Sequence, residues 1–159
     1  MAGVLAVLGL GLALGHGTDL WNSAHPGSPP YAPRAAPVVD VDVVAEASAY
    51  GEVDDVTREV EPLVKAYVQR LRTGDARELA ALGAPWFEGR PAAAREAITA
   101  HQGRGAGDAP ASVLVRDVVV PDQATAELRF GSGPVELLGL TRADGVWWVE
   151  LGDGDPVAP

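Results

Sequence analysis

Between Val60 and Leu71 apolar side chains recur at the helical period, and from Val113 onward at every second residue. That switch constrains the fold more than any other feature of the chain. Val60, Leu63, Val64, Tyr67, Val68 and Leu71 fall at i, i+3, i+4, i+7, i+8 and i+11, one stripe along a helix. Arg58, Glu61, Lys65, Gln69, Arg70 and Arg72 take the other side, and Thr73-Gly74 ends the pattern. Pro62 follows closely on the capping candidates Asp54 and Asp55, so the helix is expected either to begin near Glu61 or to bend in its first turn. Asp75 with Glu78 three residues on is a capping-box-like opening for a second helix through Leu79 and Leu82 to Gly83. Residues 84–89 read as a turn or one short strand. Pro91 then opens a third helix through Ala94, Ala97 and Ile98 to His101.

After the Gly-rich loop 103–110, four strand-length runs at 113–120, 124–130, 135–141 and 146–151 are divided by Pro121-Asp122, by Gly131-Ser132-Gly133-Pro134 and by Ala143-Asp144-Gly145. In the second run Ala124, Ala126, Leu128 and Phe130 share one face; Thr125, Glu127 and Arg129 share the other. Connections this short imply an antiparallel meander. The expected fold is therefore α+β, with three N-terminal helices packed on one face of a curved antiparallel sheet of about four to five strands. A fifth strand would come from residues 38–44, where Asp40 and Asp42 alternate with valines.

The start of the chain reads differently. Residues 2–15 are uncharged and nearly all apolar, short of the roughly 20 residues that span a bilayer but suited to a signal-peptide core. The expectation for 1–21 is a signal peptide or an uncleaved membrane anchor, with Trp21 at the interface; a buried core helix is the alternative, weakened by the glycines in the run. Residues 22–37 hold five prolines and read as an extended spacer, with a proline-rich ligand segment as the alternative. The acidic residues that follow extend the expected linker to 55, leaving a domain over 56–152 and an acidic tail over 153–159.

Charge and composition exclude several functions. The chain carries 12 Lys+Arg against 22 Asp+Glu, a net charge of −10, which opposes nucleic-acid binding. Seven acids against one Arg fall in residues 1–55, so the stem carries most of the excess. With no Cys there is no disulfide, thiolate metal site or thiol nucleophile. His101 has no His or carboxylate at i+3 or i+4, no phosphate loop follows a strand, and no cofactor or metal is expected.

Arg72-Thr73-Gly74-Asp75 closing the first helix, Leu79-Ala80-Ala81-Leu82, Phe87-Glu88-Gly89-Arg90 leading into the third, and Leu140 to Val149 with its Asp144-Gly145-Val146-Trp147 together resemble the nuclear transport factor 2-like superfamily. That is the cone fold shared with ketosteroid isomerase-like and polyketide cyclase-like proteins. The likeness covers about the last 100 residues. The leader, spacer and single domain also resemble exported actinobacterial members. The resemblance implies a pocket between helices and sheet, sometimes catalytic.

For that pocket the inward candidates are Tyr67, Leu71, Trp86, Phe87, Ile98, Leu128, Phe130 and Trp147, with His101 at a helix end. Isomerase-like chemistry needs a carboxylate base and an acidic donor converging in an apolar cavity. The candidate set is almost all hydrocarbon, with Tyr67 and His101 as its polar members, so no catalytic residue is assigned. Trp148, opposite in parity to Trp147, joins Val146 on the outer face of the sheet, either as an interface for a protein partner or second copy or as a side chain covered by the 38–44 strand. The expectation is a non-catalytic, membrane-tethered binding module outside the cytoplasm. Its alternative is an apolar-ligand or isomerase/cyclase-like pocket.

Overall fold

The computed structural model describes residues 40–119 and 122–152. In order, they form β1 (Val41–Ala45), α1 (Gly51–Thr73), α2 (Ala76–Ala80), α3 (Arg90–Gly103), β2 (Ala111–Val119), β3 (Gln123–Phe130), β4 (Val135–Ala143) and β5 (Val146–Glu150). The class is α+β, with a five-stranded sheet in the order β1-β2-β3-β4-β5.

β2 to β5 form the expected antiparallel meander. β1 corrects the expectation: it pairs parallel with β2, Val41 opposite Ala111 and Ala45 opposite Val115. The sheet is therefore mixed, and the helices lie between β1 and β2 in sequence instead of preceding every strand. The physical reason is parity. Val41 and Val43 alternate with Asp42 and Val44, which suffices for an edge strand, and the helical segment is the long crossover a parallel pair requires. β1 and the start of α1 fall inside the 22–55 stretch that the sequence assigns to a linker. β1 also lies at the opposite edge from β5, so it does not cover Trp148.

α1 begins at Gly51, ten residues before Glu61, and continues without interruption past Pro62. Pro62 is exposed, so the backbone bond it cannot make is lost on the side where water replaces it. The buried stripe is Val56, Thr57, Val60, Leu63, Val64, Tyr67, Val68 and Leu71; the Thr57 hydroxyl donates to the Val53 carbonyl at 2.7 Å. Gly74 ends the helix at φ 71°, a left-handed conformation that disfavours any residue with a Cβ. The Asp75 carboxylate accepts from the Glu78 amide at 3.0 Å, which is the expected N-cap.

Residues 84–89 are a turn. Only Gly83 makes a β-bridge, to Val149, with the Val149 amide donating to the Leu82 carbonyl at 2.9 Å. This docks the α2–α3 connection on the β5 edge and covers part of it. Asp144 and Gly145, at φ 51° and 76°, make the two-residue hairpin turn between β4 and β5. Register places Glu136, Leu138, Leu140 and Arg142 of β4 on the same face as Ala124, Ala126, Leu128 and Phe130 of β3. Trp147 and Val149 of β5 continue that face, which meets α1. No helix among the described residues is long and apolar enough to cross a membrane. The expected leader, the whole proline-rich spacer and the acidic tail lie outside the described residues.

Candidate functional site

Two polar clusters sit where α1 meets the sheet. The first begins with Tyr67, on the buried stripe and only 2% exposed. Its hydroxyl donates to Glu136 Oε1 at 3.1 Å, and Glu136 Oε2 accepts from Arg104 Nη2 at 2.8 Å. Arg104 caps α3 and also donates through Nε to the Ala100 carbonyl. Burial, then the Glu136 charge and hydrogen bond, push the Tyr67 hydroxyl well above its usual range, so it keeps its proton and donates.

His101 is one turn back along α3, 2% exposed, with its ring 4.5 Å from that of Phe130. Among the described residues neither imidazole nitrogen has a hydrogen-bond partner. Burial lowers its pKa, the Glu136 charge opposes that, and Arg104 and Arg72 reinforce it, so the ring is held neutral. Arg72 stands with its guanidinium 5.8 Å over the Phe130 ring and donates to the Ala109 carbonyl. This arrangement is a closed network. The tyrosine proton is committed to Glu136, the carboxylate is neutralised by Arg104, and the histidine has nothing to orient it or relay its proton.

The second cluster joins Trp147 Nε1 to Glu59 Oε2 at 2.9 Å, with Arg142 Nη1 at 3.3 Å from the same oxygen and its guanidinium 5.8 Å over the indole ring. Both contacts fall on Oε2 of Glu59, whose side chain is 45% exposed.

The other expected pocket residues are distributed as follows. Leu71, Leu128 and Ile98 are buried in the core cluster. Trp86 and Phe87 lie in the turn 84–89, half-buried; the Phe87 ring covers Gly89, where a Cβ would stand 2.5 Å from it. The expected pocket therefore divides: Tyr67, His101 and Phe130 gather at one end, Trp147 belongs to the other, and the remainder fill the interior or a turn. Val146 and Trp148 share the outer face of β5, both half-buried.

Sequence reasoning missed Glu136, Arg104, Arg72, Glu59 and Arg142. A signal for two of them existed. Glu136 and Arg142 have the parity of Leu138 and Leu140 on β4, so each is a charged residue on the buried face.

Two of the surface clefts are lined by described residues. One, of about 530 Å³, lies between α3 and the ends of β4 and β5, with Tyr67 and Leu138 at its floor and Glu96, Glu136 and Glu150 around it. The other, of about 560 Å³, lies between α2 and α3. Among the described residues no group of His, Asp and Glu is placed to hold a metal ion. No protein-family model matches the chain, and neither does any curated protein or solved structure.

Proposed function

We propose that the chain is a non-catalytic binding and assembly module of the nuclear transport factor 2-like type, tethered to a membrane by its N-terminal segment and working outside the cytoplasm. In this reading the three helices cover one face of a curved, cone-forming sheet, and the opposite face is the working surface. The observation that carries it is the apolar content of that opposite face. Leu137 is 66% exposed, Val135 two residues along the same face of β4 is exposed as well, and Trp148 is half-buried on the neighbouring β5, while Val146 packs in part against the core. Exposed apolar side chains grouped on one sheet face are the usual mark of a partner surface. The tether rests on the apolar run 2–15 and the proline-rich 22–37. The family reading rests on the order of elements and on the Gly74-Asp75 and Asp144-Gly145 junctions.

Assembly is measured by light scattering on the purified chain and on Trp148→Ala and Leu137→Lys variants. Self-association or binding to a defined partner should weaken in both. An unchanged oligomeric state and unchanged partner affinity in both variants would sink the outer-face reading.

The alternative, ligand binding or isomerase-like chemistry in the cone, has one observation in its favour, the cleft beside Tyr67. Its carboxylate rim suits a polar ligand better than an apolar one. Tyr67 and Glu136 are engaged with each other and with Arg104, so a base for such chemistry would have to come from Glu96 or Glu150 at the rim.

A further inference from the structure

Most basic residues of this acidic chain are matched. Arg58, Lys65, Arg70, Arg104, Arg116 and Arg142 each pair with a carboxylate. Arg72 and Arg129 donate to main-chain carbonyls. Arg77, Arg90 and Arg95 pair with no carboxylate among the described residues, and all three line the same groove of about 560 Å³ between α2 and α3. No acidic residue lines it. In a chain of net charge −10, three uncompensated guanidiniums around one concavity form a local field opposite in sign to the rest of the protein.

The groove is also shaped. Ala76, Ala80, Ala81 and Pro91 line it, and side chains this small leave the space open and its surface apolar. Arg90 is held in place by its own bonds: Nε donates to the Phe87 carbonyl at 2.9 Å and Nη1 lies 3.4 Å from the Gly83 carbonyl. That leaves Nη2 for a ligand. Arg77 and Arg95 are exposed on either side and have no internal bond to give up. Two free planar forks, Arg77 and Arg95, that can each engage two oxygens, with Arg90 Nη2 beside them, match a phosphate better than a monovalent carboxylate, both in charge and in number of acceptors.

We propose that the α2–α3 groove binds a phosphate monoester carried on a small apolar body, with Arg77, Arg90 and Arg95 on the phosphate and the alanine–proline wall against the body. The site is separate from the outer sheet face and does not depend on the assembly reading. The same chemistry occurs in a soluble phosphate ester and in a phosphatidate headgroup, and the test separates these sources.

The probes are phenyl phosphate and inorganic phosphate, titrated into the full chain by calorimetry or amide NMR. Phenyl phosphate should saturate, perturb residues of α2 and the first turns of α3, and bind about tenfold tighter than inorganic phosphate. The double variant Arg77→Gln/Arg95→Gln should weaken it by about tenfold or more, and so should Ala81→Glu, which places a competing carboxylate in the groove. Circular dichroism checks that each variant is folded, and both changes are at exposed positions. For the lipid source, phosphatidate and phosphatidylcholine vesicles are compared. A phosphatidate excess that Arg77→Gln/Arg95→Gln removes assigns a headgroup; its absence with phenyl phosphate bound assigns a soluble ester. Failure of phenyl phosphate to saturate, equal binding of inorganic phosphate, or unchanged affinity in folded variants overturns the proposal. None of these readouts is shared with the Trp148 experiment, so the two readings fail separately.

Discussion

Replacing Glu136 by Leu tests whether the Tyr67–Glu136–Arg104 network is structural. Glu136 is half-buried and accepts from two donors of unequal burial, Tyr67 at 3.1 Å and Arg104 at 2.8 Å. In Glu136→Leu the Tyr67 hydroxyl remains buried without an acceptor, which costs about 1–3 kcal/mol. The lost ion pair adds at most about 1 kcal/mol, because the Arg104 side chain is 34% exposed and rehydrates. The leucine regains about 1 kcal/mol by burying hydrocarbon on the face it shares with Leu138. The net expectation is a loss of between about 0 and 3 kcal/mol. Tyr67→Phe leaves Glu136 with Arg104 and some water, so it should cost about 1 kcal/mol. The decisive quantity is the double variant. With the hydroxyl already gone, Glu136→Leu leaves no buried orphan, so the two losses should fail to add by about 1–2 kcal/mol. Urea unfolding monitored by far-UV circular dichroism gives all four midpoints, provided the slope m stays constant across the set. Additive losses within about 0.5 kcal/mol would refute the reasoning, because they would mean the hydroxyl is not held by Glu136.

Two further expectations follow from particular residues. The His101 pKa is lowered in the folded state, so the unfolded chain binds more protons as pH falls below about 6.5, and stability is lost from there downward to the folded pKa. Unfolding midpoints of the wild type and His101→Leu, compared from about pH 7.5 to about pH 5, should therefore diverge, the wild type losing more; parallel curves would mean the ring is not buried neutral. Gly74→Ala forces a Cβ onto a backbone at φ 71° and should cost about 1–2 kcal/mol, read as a lower thermal midpoint with unchanged helix signal.

The parts of the fold legible in sequence were those where one periodicity dominates. The α1 stripe, the Asp75 cap and the four runs of the meander each satisfy local rules, and each appears within a residue or two of its expected place. β1 was legible as a strand but not in its direction, since parallel pairing with β2 depends on where the helical crossover returns the chain. Pro62 misled for a related reason: its penalty depends on which side of α1 it faces, and that is a tertiary fact. The candidate site was least legible. Tyr67, Phe130 and His101 were singled out as pocket-lining groups, yet their surroundings depend on Glu136 and Arg104, which are distant in sequence. Glu136 alternates with apolar residues on β4, so its parity marked it as inward, while only the register of β4 against α1 names Tyr67 as its partner.

The two aromatic–carboxylate–arginine clusters also explain how a helix–sheet interface without disulfides holds one alignment. Hydrocarbon burial along Val60, Leu63, Val64 and Val68 is strong but non-directional, and a stripe of similar side chains tolerates displacement along its own axis. A displacement of α1 by one turn, about 5.4 Å, would leave much of that apolar area buried. It would not preserve the directed bonds. Glu59 and Tyr67 lie about 12 Å apart along α1, and they meet Trp147 on β5 and Glu136 on β4, near opposite ends of those strands. One such contact fixes a point about which the helix could still swing; two fix its translation and its crossing direction together. Arg142 completes the second cluster because its guanidinium stands over the Trp147 ring and meets the Glu59 carboxylate at once, whereas in the first Arg104 supplies the carboxylate contact alone. Glu136 spends both of its oxygens on this alignment and Glu59 one of them.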